Sequence, residues 1–167
     1  TTTVINLAAG LANQEKKVLV IDLDPQGNAT TGLGLSNLES SSETIYGVLN
    51  GTRIISNIIK KTQFKNLDII TSNVDLSGLE AETAGDSERA FLLKVKLTAY
   101  LNDFKGSYDY ILIDCPPSLS LLTVMALVSS HSLVVPLQTE FFALEGLTQL
   151  MKTIESVTCG SSQYPER

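Results

Sequence analysis

The sequence predicts an α/β fold built on a doubly wound, mostly parallel sheet. Short apolar runs typical of buried strands alternate with segments of helical periodicity, and two of those runs end on an aspartate. The chain has 167 residues, of which 43% are hydrophobic and only 6% aromatic. This length is sufficient for one domain with a substantial core of aliphatic side chains.

The elements follow one another along the chain. Residues 4–11 have apolar side chains at helical spacing, whereas residues 17–21 form a β-rich run of the kind that a strand covered on both faces shows. Residues 28–35 are expected to be a loop or a short helix. Further helices are predicted at 44–49, 90–101, 119–128 and 144–157, and further strands at 67–70, 110–113 and 133–135.

Charge and composition narrow the classes of function. The net charge is −6 and no basic run is present, so the chain carries no electrostatic footprint for nucleic acid. No apolar stretch approaches the roughly 20 residues that a membrane span needs, and no signal-peptide pattern opens the sequence. Two cysteines do not suggest a disulfide framework. A cytoplasmic protein without membrane association is therefore expected.

Aspartates follow two of the predicted strands. One run ends in Asp22-Leu23-Asp24-Pro25, and another is followed by residues 114–117, which read Asp-Cys-Pro-Pro. Ligands of open parallel sheets bind beyond the carboxyl ends of the strands, where a carboxylate can hold Mg²⁺ directly or through water. A single Asp there is often only a turn residue or a helix cap. Two of them, each followed by a loop-stiffening proline, favour a nucleotide–magnesium site.

Four segments carry a family resemblance, in order and at the right spacing: residues 1–9, 22–30, 114–118 and 136–147. All four resemble segments of ParA/Soj-type partition ATPases. Residues 1–9 resemble the segment after the glycine-rich loop and its lysine, and residues 22–30 resemble the second nucleotide motif. Residues 114–118 resemble the Walker B segment, and residues 136–147 resemble a further stretch of the family. The chain is identified on this basis as a member of the deviant Walker A class, with a P-loop NTPase-like fold. The resemblance covers residues 1–157, and residues 158–167 form an atypical tail.

The resemblance implies ATP and Mg²⁺ as ligands and assigns residues to them. Thr1 matches the threonine after the P-loop lysine, so its hydroxyl is implied as a Mg²⁺ ligand and its backbone N–H as a phosphate contact. Thr2 is implied to contact the α-phosphate side. Asp114 matches the Walker B aspartate that holds Mg²⁺ through water. Pro116 belongs to the loop that would sense the γ-phosphate.

The second nucleotide motif is implied to supply the catalytic groups. Asp24 matches the acidic residue that positions the attacking water, and Asp22 is assigned as its support near the metal. Gln26 and Asn28 are expected at a dimer-facing edge, although ordinary loop chemistry would also account for them. The family implies an ATP-dependent homodimer, a ParB-type partner, DNA binding without sequence preference through segments outside this chain, and a cytoplasmic, nucleoid-associated location.

The family's first strand, its glycine-rich loop and its two lysines would precede Thr1. Without this phosphate cradle, we expect the 167-residue chain by itself to bind ATP very weakly and not to turn it over. Because that strand lies near the middle of the family's sheet, the isolated chain is also expected to be unstable or aggregation-prone.

The sequence is also compatible with other functions. The chain could be a non-catalytic interaction module that keeps only a partner-binding surface, or a division-site ATPase of the MinD type. Gly32 and Gly34 point weakly to a Rossmann-type oxidoreductase, but the required third glycine does not open a helix directly after the first strand. The motifs do not distinguish chromosome from plasmid cargo.

Overall fold

The structure is a computed structural model that describes residues 1–36, 40–137 and 141–161. Helices and strands alternate through most of it. The helices are α1 (Thr2–Asn13), α2 (Asn28–Gly32), α3 (Ile45–Leu49), α4 (Leu79–Glu82), α5 (Leu92–Asp103), α6 (Leu121–Ser129) and α7 (Phe141–Ser161), and the strands are β1 (Val18–Asp22), β2 (Ile59–Lys61), β3 (Leu67–Ile70) and β4 (Tyr110–Asp114). Short 3₁₀ helices lie at Ser41–Glu43, Ile55–Asn57, Val74–Gly78 and Arg89–Phe91.

The four strands form one sheet in the order β2-β3-β1-β4. β1 pairs in parallel with β3 on one side and with β4 on the other, whereas β2 pairs antiparallel to β3. All five residues of β1 are buried, which explains why its sequence is apolar up to the terminal aspartate. The predicted mostly parallel sheet is confirmed.

Helices cover both faces of the sheet, so the doubly wound arrangement is also confirmed. Val18 and Val20 of β1 point to one face, where they pack in a cluster with side chains of α1 and α2. The alternate residues, Leu19 and Ile21, join a larger cluster with α3, α5 and α6. Because successive side chains of a strand point to opposite faces, one five-residue strand anchors both halves of the core.

One predicted strand is wrong. Residues 133–135 do not pair with any strand among the described residues, and they lie exposed, from 39% at Val135 to 66% at Val134. A strand exists only as part of a hydrogen-bonded ladder, and β4 forms the edge of the sheet on its side away from β1. High β-propensity alone has therefore not made this segment a strand.

A strand that the sequence did not indicate is β2. It contains only three residues and carries Lys60 and Lys61, and it lies between residues 35 and 66, where the periodicity is weakest. Its antiparallel pairing with β3 follows a tight connection in which the Thr62 hydroxyl donates to the carbonyl of Leu67 at 2.7 Å. Short lysine-bearing strands are common at sheet edges, where they discourage pairing with other chains.

The C-terminal helix extends beyond the predicted 144–157 to cover Phe141–Ser161. It therefore includes the first part of the predicted tail, while residues 162–167 lie outside the described residues. The division into a domain at 1–157 and a tail at 158–167 stays a prediction. Within the part of the chain that the structure describes, no helix combines the length and apolarity that crossing a membrane requires.

Candidate functional site

Three buried aspartates lie at or just beyond the carboxyl end of the sheet. β1 and β4 run in parallel and end in register, so that Asp22 is paired with Asp114. Asp24 follows two residues after the end of β1. All three are buried, with exposed fractions of 0% for Asp22, 3% for Asp114 and 6% for Asp24. The structure thus brings together the aspartates that the sequence assigned to one site.

Asp22 accepts hydrogen bonds from its own loop and from the following helix. Its Oδ2 accepts the Thr30 N–H and the Thr30 hydroxyl, each at 2.7 Å, and its Oδ1 accepts the Asp24 N–H at 3.2 Å. Burial raises the pKa of Asp22 above its usual value, the hydrogen bonds from Thr30 and Asp24 oppose this shift, and the nearby Asp114 adds slightly to it. The side chain holds the start of α2 against the end of β1.

A tight turn presents Asp24 at this edge. Its Oδ1 accepts the Gln26 N–H at 2.9 Å, and its carbonyl accepts the Gly27 N–H at 2.9 Å. Gly27 has φ 64° and precedes α2, a left-handed conformation that favours glycine. Because β1 ends at Asp22, strand alternation does not extend to Asp24, and the turn sets its position instead.

The N-terminus of α1 lies beside Asp114. The terminal ammonium nitrogen of Thr1 is 3.0 Å from Asp114 Oδ1, and the same nitrogen would be a peptide N–H in a chain extended at that end. The Thr1 side chain makes no capping hydrogen bond, and the first helical bond runs from the Ile5 N–H to the Thr1 carbonyl. The first N–H groups of α1, including that of exposed Thr2, therefore point away from the helix as anion donors.

Asp114 also has an atom without a protein partner. Its Oδ2 is buried and accepts no hydrogen bond from the residues that the structure describes. Such an atom normally has a bound water or cation beside it. Carboxylate, hydroxyl and water oxygens are the ligands that Mg²⁺ prefers, commonly with only one or two carboxylates and with phosphate completing the shell. The donors here fit Mg²⁺, although the described residues contain no group of three or more His, Cys, Asp or Glu suited to a metal.

The loop after β4 is fastened to α6. The buried Thr123 hydroxyl contacts the carbonyl of Ser118 and lies 3.5 Å from the carbonyl of Pro116. Pro116 is half-buried, so the loop follows a fixed path past the end of β4. Burial, followed by the neighbouring Asp114, raises the pKa of Cys115, which makes this thiol a poor nucleophile.

Two residues of the site have roles that the sequence did not show. Thr30 binds Asp22, and Thr123 binds the loop that contains Pro116. Both are threonines inside helices. Thr30 ends the motif segment 22–30, but nothing in the sequence indicated that it or Thr123 would be buried and would bind these partners. Gln26 and Asn28 are exposed, and their placement at a dimer interface stays a prediction.

Comparison with known proteins identifies relatives of this chain. A family model described as AAA domain matches residues 1–163. The chromosome partitioning protein ParA of Caulobacter vibrioides is 48% identical over 157 residues, which cover 94% of this chain and 58% of the relative. The sporulation initiation inhibitor protein Soj of Bacillus subtilis is 46% identical, over 94% of this chain and 60% of its own length.

A solved structure of cobyrinic acid a,c-diamide synthase from Mycobacterium smegmatis, with a bound ATP analog and magnesium, superposes with a TM-score of 0.83. The two sequences are 36% identical, and the match covers 93% of this chain and 62% of the synthase chain. The chain thus spans less than two thirds of the length of each of these relatives. It belongs to the AAA domain family, and its identification from the motifs as a ParA/Soj-type protein is confirmed.

Proposed function

We propose that this chain supplies the magnesium and water side of the active site of an ATP-hydrolysing protein that segregates chromosomes or plasmids. The observation that carries the proposal is the buried Asp114 carboxylate, which has one oxygen without a protein partner and lies at the N-terminus of α1. A buried carboxylate oxygen without a partner is costly, so a cation bound at Oδ2 would stabilise it. The similarity to a chromosome partitioning protein ParA and to Soj supports the biological role.

The residues divide into a metal side and a phosphate side. Asp114 and the Thr1 hydroxyl would hold Mg²⁺, with Asp22 assigned next to them in the metal shell. The ion, when bound, neutralises charge on the phosphates. Thr2 and the first N–H groups of α1 face the position where the helix dipole attracts an anion. The loop at Pro116 would lie against the terminal phosphate.

Asp24 is assigned to orient the attacking water. Its backbone is fixed by the hydrogen bond to Asp22 and by the turn at Gly27, so its carboxylate is held in place before substrate binds. A carboxylate held in this way can accept a hydrogen bond from water and align it for attack. Asp22, which lies at the end of β1, is the second residue that we assign to catalysis, together with Asp24.

The whole protein would act with partners. We propose a homodimer in the ATP state with Gln26 and Asn28 at its edge, a ParB-type partner protein, and DNA bound without sequence preference through segments outside this chain. The location would be cytoplasmic and nucleoid-associated, and no membrane association is proposed.

The test uses a hybrid in which this chain replaces the matched region of the C. vibrioides ParA protein, referred to below as the ParA hybrid. We expect Mg²⁺-dependent ATP hydrolysis, and a loss of about 100-fold in rate for Asp24→Asn with nucleotide binding retained. Asp86→Asn is the matched control, because Asp86 is an exposed acid in a turn outside the site. Unchanged hydrolysis in Asp24→Asn would contradict the assignment.

The same hybrid separates the ATPase from the non-catalytic interaction module. The module would bind a partner without hydrolysing ATP in the hybrid, whatever residue occupies position 24. For the 167-residue chain alone, we expect calorimetry to detect at most very weak binding of ATP with Mg²⁺. Tight binding by the chain alone would show that a phosphate cradle is not required.

A further inference from the structure

We propose that Thr30 is a positioning residue of the active site: its hydroxyl links the segment after β3 to Asp22 and thereby fixes where Asp24 lies. The inference deepens the proposed function and rests on it for its catalytic consequence. Its structural part, which concerns hydrogen bonds among described residues, can be tested independently of any ATPase activity.

The link is a chain of buried hydrogen bonds. The Ser72 N–H donates to Thr30 Oγ1 at 3.0 Å, and the Thr30 hydroxyl donates to Asp22 Oδ2 at 2.7 Å. All three residues have an exposed fraction of 0%. Each bond is therefore made away from water, where losing one partner leaves the other unsatisfied.

The direction of each hydrogen bond is determined by the chemistry of the groups. The backbone N–H of Ser72 can only donate, so the Thr30 oxygen must accept from it. The same Asp22 oxygen also accepts the Thr30 N–H at 2.7 Å, so it acts as an acceptor towards both groups of Thr30. The single hydroxyl proton of Thr30 then lies on the line to Asp22.

Asp22 caps the N-terminus of α2, which has no capping side chain of its own. The residue before this helix is Gly27, which has no side chain to cap the first free N–H groups. Asp22, eight residues earlier in the sequence, acts as the cap by accepting the N–H of Thr30. Its other oxygen accepts the N–H of Asp24, so both carboxylate oxygens have fixed directions.

The Thr30 hydroxyl also affects the position of Asp24, the residue assigned to orient the attacking water. Thr30 holds one oxygen of Asp22, and the other oxygen of Asp22 holds the backbone of Asp24. Without the hydroxyl, the Asp22 carboxylate loses its shortest side-chain restraint, and the Ser72 N–H is left buried without an acceptor. Displacements of about 1 Å at a catalytic group can lower a rate about 100-fold, so this restraint matters for catalysis.

The decisive variants are Thr30→Val, which removes the hydroxyl at nearly constant shape, and Thr30→Ser, which keeps it. Ser72→Ala is the matched control, because the Ser72 hydroxyl is buried without a partner while its N–H makes the bond in question. In the ParA hybrid, we expect Thr30→Val to accelerate amide hydrogen exchange at Ser72 and Asp24 at least tenfold. Thr30→Ser and Ser72→Ala should leave both exchange rates within about threefold.

In the ParA hybrid, we expect Thr30→Val to lower kcat by about 10- to 100-fold with KM within about twofold, and Thr30→Ser to restore kcat. An unchanged kcat in Thr30→Val, or an equal loss in Thr30→Ser, would overturn the positioning role. If the unsubstituted hybrid does not hydrolyse ATP, the proposed function fails, and the exchange experiment still decides the hydrogen-bond link.

A measurement on the unsubstituted ParA hybrid covers the case in which Thr30→Val does not fold. A buried hydroxyl proton with a fixed acceptor exchanges slowly and gives a resolved proton NMR signal. We expect this signal for Thr30, with a nuclear Overhauser contact to the Ser72 amide proton. A Ser72 amide that exchanges as fast as an exposed one would overturn the proposal.

Discussion

The same substitution, glycine to alanine, is predicted to have opposite effects in two helices. Gly10 lies on the exposed side of α1, and a Cβ built there meets no atom within 4 Å. Alanine has a higher helix propensity than glycine by about 0.5–1 kcal/mol, because glycine loses more backbone freedom on folding. We therefore expect Gly10→Ala to raise the free energy of unfolding by about that amount.

Gly47 lies buried in α3 and has no such space. A Cβ there would be 2.8 Å from the carbonyl carbon and 2.9 Å from the Cα of Ser42, and closer still to the Ser42 oxygen. Reaching an ordinary contact of 3.4 Å would require a movement of about 0.6 Å away from the carbonyl carbon, and a larger one away from the oxygen. The 3₁₀ turn Ser41–Glu43 resists this, because the Thr44 hydroxyl donates to the Ser41 carbonyl at 2.7 Å.

Overpacking of this kind costs about 1–3 kcal/mol, which exceeds the gain in propensity. We expect Gly47→Ala to lower the free energy of unfolding by about 0.5–2 kcal/mol, measured by urea denaturation followed by circular dichroism at 222 nm. Gly10→Ala in the same assay is the control for propensity. Equal shifts of the two midpoints in the same direction would refute the steric argument.

Two further outcomes follow from the described contacts. Burial and the hydrogen bond to Asp68 raise the pKa of Tyr108 above its ordinary value near 10, so the folded state keeps a proton that the unfolded state loses. Stability from this group is therefore complete below about pH 10 and decreases as pH rises above it, and we expect Tyr108→Phe to remove this part of the alkaline decline in urea midpoints. Val134, which is 66% exposed beside other apolar residues of 133–137, is expected to promote association of the isolated chain. Val134→Lys should lower light scattering at micromolar concentration. The control Val74→Lys, at a site 68% exposed on a separate turn, should not lower it. Equal effects of the two substitutions would contradict an association surface at 133–137.

The central strands were predictable because their environment is symmetrical. β1 has a parallel neighbour on each side and helices on both faces, so every position selects an apolar residue until the sheet ends at Asp22. The pattern is therefore readable without knowing the partners. The aspartates at the strand ends were predictable for a related reason, since the carboxyl ends of parallel strands meet at one edge.

The edges were not predictable in the same way. β2 is a strand because β3 offers it a partner, although its sequence contains two lysines. Residues 133–135 have a stronger β-propensity and form no strand among the described residues, because propensity does not supply a ladder. The Thr30 contact escaped prediction since it depends on Ser72, which lies 42 residues away in sequence.

The central position of β1 has a consequence for synthesis. The hydrogen bond from the Lys17 N–H to the Asp109 side chain, where β1 and β4 begin to run together, spans 92 residues. At translation rates of about 5–20 residues per second, roughly 5 to 20 s pass between the emergence of β1 and that of β4 from the ribosome. During this interval one edge of β1, a strand that is apolar up to its terminal aspartate, lacks its partner. Newly made chains are therefore most in need of protection by a chaperone before residue 114 has emerged, and slower translation across this region would prolong that need.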